Sequence, residues 1–294
     1  MSTLGLVQLL FLALAIVMLG LGLSLTPADF KRLLTEKRAV AIALAWQMLL
    51  LPACAFLIAV LVDLPAPYAV GLMLLASVPG SISSNLYSNV FGGSVALTVS
   101  LTGVNTLLSM ITMPLICSWS LHWFAGGEHA VPQVAGKLVE VMVLLTVPVA
   151  LGMAVRAKAP ALARRADKPM RLVSVLVLVA FSVAAVVKEW SALTAGFGPV
   201  GLSVLLFNAL ALALGYGGSL RLGLTRSEAI AIAYHLSVRS TVLAIYVAMT
   251  VLNDMQMALP AAVYSVTMIA LGVGFGFWVR RAPRRLDGKG YARQ

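Results

Sequence analysis

The chain has 294 residues, of which 61% are hydrophobic and 11% charged, and its mean hydropathy is +1.00. No soluble domain of this size carries so little charge, so the composition excludes a globular cytosolic protein and fits a polytopic membrane protein. A formal net charge of +11 would suggest nucleic acid in a soluble chain, but here the basic residues serve as topology markers and no nucleic-acid partner is expected.

Apolar runs long enough to cross about 30 Å of hydrocarbon occur near residues 4–25, 39–62, 68–90, 94–118, 133–155, 170–188, 199–219, 226–251 and 258–280. The expected fold class is therefore an all-α polytopic membrane protein of nine transmembrane helices. The first run has neither the basic leader nor the small-residue cleavage site of a signal peptide and is read as a retained helix. Lys31, Arg32, Lys37 and Arg38 follow it; Arg156, Lys158, Arg164, Arg165, Lys168 and Arg171 follow the fifth run. With Arg221, Arg226 and the tail residues Arg280, Arg281, Arg284, Arg285, Lys289 and Arg293, 18 of the 21 basic residues fall on one side of alternating crossings. That side is cytoplasmic by the positive-inside rule, which places the N-terminus outside and the C-terminus inside a bacterial inner or plasma membrane. Asp63, Tyr68, Trp119, His122, Trp123, Glu128, Glu189, Trp190 and Asp254 mark the outer boundary, and His122 and His129 read as solvated loop residues. Lys137 and Glu140 are spaced for a helix-end ion pair. Cys54 and Cys117 lie within apolar runs and supply neither a metal motif nor a disulfide framework.

The stretch Pro79 to Thr106, PGSISSNLYSNVFGGSVALTVSLTGVNT, interrupts the third run with Pro79, Gly80 and small polar side chains, then resumes as an apolar helix seeded with Thr98, Ser100, Thr102, Asn105 and Thr106. Unwound backbone survives in a bilayer only where it lines a protein cavity or an ion site, so this pattern marks a broken helix with its hinge at Pro79 and Gly80. The competing reading is a proline-kinked helix whose hydroxyls bond back to their own backbone. The eighth run is equally polar at its middle, Tyr234 to Thr241. The third run enters from outside and the eighth from inside, the relation expected of an inverted repeat with halves at about 1–125 and 130–282 and a basic cytoplasmic tail at 283–294.

Arg239 lies near the centre of the eighth run, where an arginine costs at least about 2.5–3.5 kcal/mol on insertion scales. It either caps the broken helix by donating to C-terminal carbonyls of the third run, or acts as a fixed cation in place of a mobile one, or clamps an anionic substrate. Glu228 suits the start of its own helix and reads as a cap. His235 is a candidate proton carrier, or a tautomer held by a backbone carbonyl. The polar groups of this break and of the last run, Tyr234, His235, Arg239, Ser240, Tyr264 and Thr267, are candidates for substrate contact or for replacing a cation. The chain carries no HExxH, no paired aspartates and no Ser–His pair on facing turns, so no enzyme is expected and no catalytic residue is assigned. A channel is the remaining alternative class, disfavoured because channels repeat a filter about a symmetry axis.

Three motifs carry a resemblance to a known family. MLGLGLSLTPADFKRLL from Met18 to Leu34, WQMLLLP from Trp46 to Pro52, and PGSISSN followed by VALTVSLT resemble the opening helix, the glutamine-to-proline stretch and the PGG-x-x-SN and ALS-x-x-x-T pattern of the bile acid:sodium symporter family. The resemblance covers nearly the whole chain. It implies two crossed broken helices, core and panel domains moving against each other for alternating access, and a first sodium site from Ser84, Asn85, Thr98 and Thr102, with Gln47 in a second. The departures lie in the eighth and ninth runs. Counted back without gaps from Leu259 and Pro260, the family's E-x-G-x-QN places the shared carboxylate at Tyr234, the glutamine at Val238 and the asparagine at Arg239. Met268 and Ile269 stand where a histidine and an asparagine line the cavity of some members. The expected function is secondary transport of a small amphipathic organic anion, bile-acid-like or a monocarboxylate, sodium-coupled by resemblance. The alternative is sodium-independent transport, proton-coupled or by uniport, with Arg239 replacing a sodium ion. Sodium apart, no cofactor or protein partner is indicated; the partners are the organic anion and the lipid bilayer.

Overall fold

The computed structural model describes residues 35–126, 146–163 and 190–281, with positions 12, 15–16, 18–20, 22–23, 165–166, 169 and 176. Most of the first, fifth and sixth expected spans lies outside these residues, as do Glu128, His129, Lys137, Glu140, Glu189 and the 283–294 tail.

Besides helical stretches at 146–158 and 160–163, eight helices are labelled here in chain order. Helix α1 runs Lys37–Leu61 and opens into a π turn at Trp46–Leu50. Pro52 has no N–H to return to residue 48 and its ring crowds that carbonyl, which widens the helix there. Helix α2, Ala66–Ser77, and α3, Ser83–Phe91, are the two parts of one broken helix. Gly92 ends α3 at φ 83°, a left-handed cap that glycine takes without strain. Helix α4, Val95–Ala125, starts at Ser94, whose side chain accepts from the Leu97 N–H. It bends by 54° at residue 110, four residues before Pro114, as the missing i to i−4 bond of a proline dictates.

Helix α5 runs Trp190–Ala213 and continues through a π turn, Leu214–Gly218, to Arg221. Helix α6, Arg226–Ser237, opens with a capping box of Thr225 and Glu228, which makes Glu228 the cap its position suggests. Helix α7 is Thr241–Val251, its last turn π. Helix α8, Leu259–Arg281, closes the described chain. Helices α1, α5 and α8 are long and apolar enough to cross a membrane, and the bent α4 makes a fourth.

Burial runs inside out. Every residue of α2 from Tyr68 to Ser77 is buried, as is α6 from Ala229 to Ser237, so these helices are central. Leu49, Leu61, Leu115 and Trp278 of α1, α4 and α8 are exposed, the pattern of helices that face lipid. Glycines set the closest approaches: a Cβ on Gly215 would lie 2.4 Å from Ala233 Cα, and one on Gly218 would lie 2.5 Å from the Trp46 ring. Such small-residue contacts are how membrane helices gain packing without a hydrophobic drive between them.

Two boundaries differ from expectation. Helix α4 continues to Ala125 and α5 begins at Trp190, past the apolar runs, since backbone hydrogen bonding does not stop where the hydrocarbon does. The second break is also narrower than Tyr234 to Thr241. The Val238 N–H still reaches the Tyr234 carbonyl at 2.9 Å, so Tyr234 to Ser237 stay helical and only Val238–Ser240 is unwound.

Candidate functional site

The two breaks meet. Gly80 and Arg239 form an isolated antiparallel bridge. The Ser81 N–H donates to the Val238 carbonyl at 2.8 Å and the Ser240 N–H to the Pro79 carbonyl at 3.0 Å. Each unwound segment thus satisfies the other, which is how backbone without a helix persists at this depth. A Cβ on Gly80 would lie 2.8 Å from His235 Nδ1, so the approach requires glycine.

Arg239 is 1% exposed and its guanidinium turns toward the end of α2. Nε donates to the Leu75 carbonyl at 3.1 Å, and Nη2 to those of Ala76 and Val78, each at 2.5 Å. Nη1 donates to Gln47 Oε1 at 2.6 Å and to the Leu236 carbonyl at 3.4 Å. These account for all five donors of a guanidinium. The last carbonyls of α2 have no helical partner and carry the negative end of its dipole; one planar cation collects three of them. Gln47 reaches this point from the π turn of α1 and is 1% exposed; its Nε2 lies 3.4 Å from the Val78 carbonyl.

Ser84, Asn85, Thr98 and Thr102 lie on α3 and α4. Thr98 Oγ1 is 2.9 Å from Ser88 Oγ, which joins the two helices. The Thr102 hydroxyl donates to the Thr98 carbonyl at 2.8 Å and the Ser84 hydroxyl to the Ser81 carbonyl at 2.7 Å, while Asn85 Oδ1 is buried without a partner. Thr98, Ser100, Thr102 and Thr106 each bond back to their own helix, so back-bonded hydroxyls and a true break coexist. Gln47 stays apart from this set, bound to Arg239.

His235 meets side chains, not a backbone carbonyl. Its Nδ1 is 3.5 Å from Thr102 Oγ1 and its Nε2 3.4 Å from Asn105 Nδ2. Tyr234, where the ungapped count puts the carboxylate, points elsewhere. It stacks with Tyr87 and Phe91 at 5.3 and 5.9 Å and donates to the Gly272 carbonyl at 3.0 Å. The residue of this break that meets Thr102 is therefore one later than the count. Tyr264 donates to the Ser237 carbonyl at 2.6 Å, Thr267 turns back to the Tyr264 carbonyl at 3.1 Å, and Ser240 enters the site through its backbone. Sequence reading named neither Leu75 nor Ala76, which enter the site through backbone carbonyls and so leave no side-chain signal.

Residues 11–196 match the Sodium Bile acid symporter family. The chain belongs to that family. Among its relatives, the probable chloroplastic sodium/metabolite cotransporter BASS1 of Arabidopsis thaliana is 27% identical over 275 residues, 93% of this chain and 67% of the relative. The uncharacterized sodium-dependent transporter YocS of Bacillus subtilis (strain 168) is 29% identical over 255 residues, 86% of this chain and 77% of the relative. The human sodium/bile acid cotransporter 4 is 32% identical over 147 residues, 50% of this chain and 33% of the relative. Against the rice BASS1 relative the chain spans 60% of its length. Family membership makes this an integral membrane protein of the symporter type, not an enzyme, and sodium is the ion for which the family is named.

Proposed function

We propose that this member of the family is a secondary active transporter that carries a small amphipathic organic anion, bile-acid-like or a monocarboxylate, by alternating access at the crossing of its two broken helices. The carrying observation is a buried guanidinium at that crossing, bonded to neutral acceptors. Glu228 is the only acid within α1 to α8, and it caps α6 about three helical turns away. A buried positive charge with neutral partners alone favours an arriving anion. Because all five donors are engaged, Arg239 acts as a fixed cation and a strut between α2 and α6 rather than as a direct clamp.

The Arg239 guanidinium, bonded to Gln47, stands in for the ion of a second sodium site, which leaves one ion at most, held by Ser84, Asn85, Thr98 and Thr102 as hard oxygen donors. Transport without sodium, proton-coupled or by uniport, is the second reading, favoured by the absence of an acid at the crossing among the described residues. The nine spans, the inverted repeat with halves at about 1–125 and 130–282, the core and panel domains, the hinge at Pro79 and Gly80, and the outside N-terminus and cytoplasmic C-terminus complete the reading.

Uptake of labelled monocarboxylates and of a bile acid into proteoliposomes, with and without a sodium gradient, tests it. Saturable uptake with counterflow against unlabelled anion is expected. No saturable uptake of any anion, or equal uptake of an uncharged analogue, tells against it, and flux without counterflow marks a channel.

A further inference from the structure

Past the crossing, α3 and α8 run side by side in the same direction. Gly272 and Gly276 of α8, one turn apart, seat Tyr87 and Phe91 of α3: a Cβ on Gly272 would lie 3.3 Å from the Tyr87 ring and one on Gly276 2.5 Å from that of Phe91. Tyr234 stacks on the inner side of this seam and is itself covered by Phe275 at 5.5 Å. The other side is open. There Leu86 and Val90 of α3 and Val273 and Phe277 of α8 are exposed, each pair four residues apart on one helix face. The Phe277 ring stands edge-on to Phe91 at 5.9 Å, which sets both pairs beside the same seam. Together they form an apolar furrow.

Arg280 stands at the end of the furrow. Its Nη2 donates to the carbonyl of Val90, the last residue but one of α3, at 2.5 Å. Its guanidinium carbon is 5.2 Å from the Phe91 ring centroid, within reach of the ring's quadrupole. The cation is thereby held across the two helices. Among the described residues its partners are this carbonyl and this ring, with no carboxylate, so Nε and Nη1 remain as donors.

We infer that the furrow and Arg280 form a further subsite for the organic anion, with its apolar body along Leu86, Val90, Val273 and Phe277 and its carboxylate on the Arg280 fork. The inference rests on the organic-anion reading above and deepens it. Arg239, with all five donors engaged, offers a field but no bond to a ligand, whereas Arg280 has donors to give in the planar geometry that a carboxylate matches. From Val273 to Arg280 the furrow runs about 10 Å, more than acetate or lactate can span, so the class it selects is a carboxylate with an extended apolar body. The subsite lies on the side that carries the end of α8, cytoplasmic in the orientation proposed above.

The test reads binding and transport separately on the full-length protein. In detergent, decanoate or cholate is expected to raise the unfolding temperature saturably, and decanol is not. Arg280→Gln should weaken the apparent affinity for decanoate about tenfold or more, as the loss of a charged bond requires, and Phe277→Ala several-fold, with Arg281→Gln as the unaffected neighbour. In vesicles of defined orientation, the KM of Arg280→Gln for the same anion should rise on the Arg280 side and hold on the opposite side, and Arg280→Lys, which keeps the charge, should recover part of the loss. An arginine that only braced α3 against α8 would lower the unfolding temperature without changing the response to decanoate, and would shift both sides alike. Equal stabilisation by decanol, an unchanged response in Arg280→Gln, a KM shift equal on the two sides, or stabilisation by phosphatidylglycerol but by neither carboxylate overturns the inference. Organic-anion counterflow that Arg280→Gln leaves at the wild-type KM would sink this subsite and leave the transport reading standing; decanoate binding that Arg280→Gln abolishes, with no counterflow of any anion, would sink the transport reading and leave the subsite.

Discussion

Replacing Arg239 by methionine removes a buried charge and five hydrogen bonds while keeping much of the side-chain volume. Four of those bonds end on the carbonyls of Leu75, Ala76, Val78 and Leu236, and one on Gln47 Oε1. A bond from a charged donor contributes about 1.5–3 kcal/mol, but the desolvation of the guanidinium offsets most of that sum. What the variant leaves behind decides the outcome: carbonyls at the end of α2 with no replacement donor, at about 1–3 kcal/mol for each left unsatisfied. Two such groups suffice for a net destabilisation of about 3–5 kcal/mol, the range seen when buried charged contacts are broken. Gln47→Leu removes only the 2.6 Å acceptor and a longer amide contact, for about 1–3 kcal/mol. Because the two side chains bond each other, the double variant should show a coupling of about 1.5–3 kcal/mol. Unfolding of the purified protein in detergent, followed by fluorescence of its 5 tryptophans, measures all four corners of the cycle, with Val238→Ala as the neighbouring control. An Arg239→Met variant within about 0.5 kcal/mol of wild type, or a coupling near zero, would refute the strut.

Gly215→Ala forces a Cβ to 2.4 Å from Ala233 Cα and should cost about 1–3 kcal/mol by overpacking; Gly217→Ala meets nothing within 4 Å and should be near neutral in the same unfolding assay. Thermal stability in sodium, potassium and choline chloride separates the two ion readings. One retained sodium site predicts a sodium-specific rise in wild type that Thr102→Ala abolishes, while transport without sodium predicts no rise in wild type and one that appears in Arg239→Gln. Normal uptake with unchanged ion dependence in Arg239→Gln would end the cation-replacement idea. Pro114→Ala restores the bond to residue 110 and should relax the 54° bend of α4; uptake in proteoliposomes should fall while the unfolding temperature holds, and full activity would mean that the bend is dispensable.

Much of this was legible in the residues. The membrane class follows from composition, and both helix breaks announce themselves as polar runs inside apolar ones, because a bilayer leaves few other reasons for PGSISSN or YHLSVRST at mid-span. Glu228 was readable as a cap from its place at the start of its helix, where an acid suits the dipole; the structure adds Thr225 as its capping-box partner. The role of Arg239 was left between three readings, a cap on the C-terminal carbonyls of the third run, a fixed cation and an anion clamp; the residues named the helix end but not which of its carbonyls the guanidinium meets. Only the antiparallel bridge between Gly80 and Arg239 brings the end of α2 to the guanidinium. The direction of the neighbouring side chains was likewise tertiary. Tyr234 and His235 are adjacent and equally polar, and the count from Leu259 favoured the first; helix continuity to Ser237 turns them about 100° apart, sending the tyrosine to the aromatic stack and the histidine to Thr102. Sequence by itself thus determined that two helices must break in a membrane, since that rests on chemistry within each segment, whereas the structure decided which groups face each other across the crossing, since that depends on the rotation and register of helices far apart in the chain.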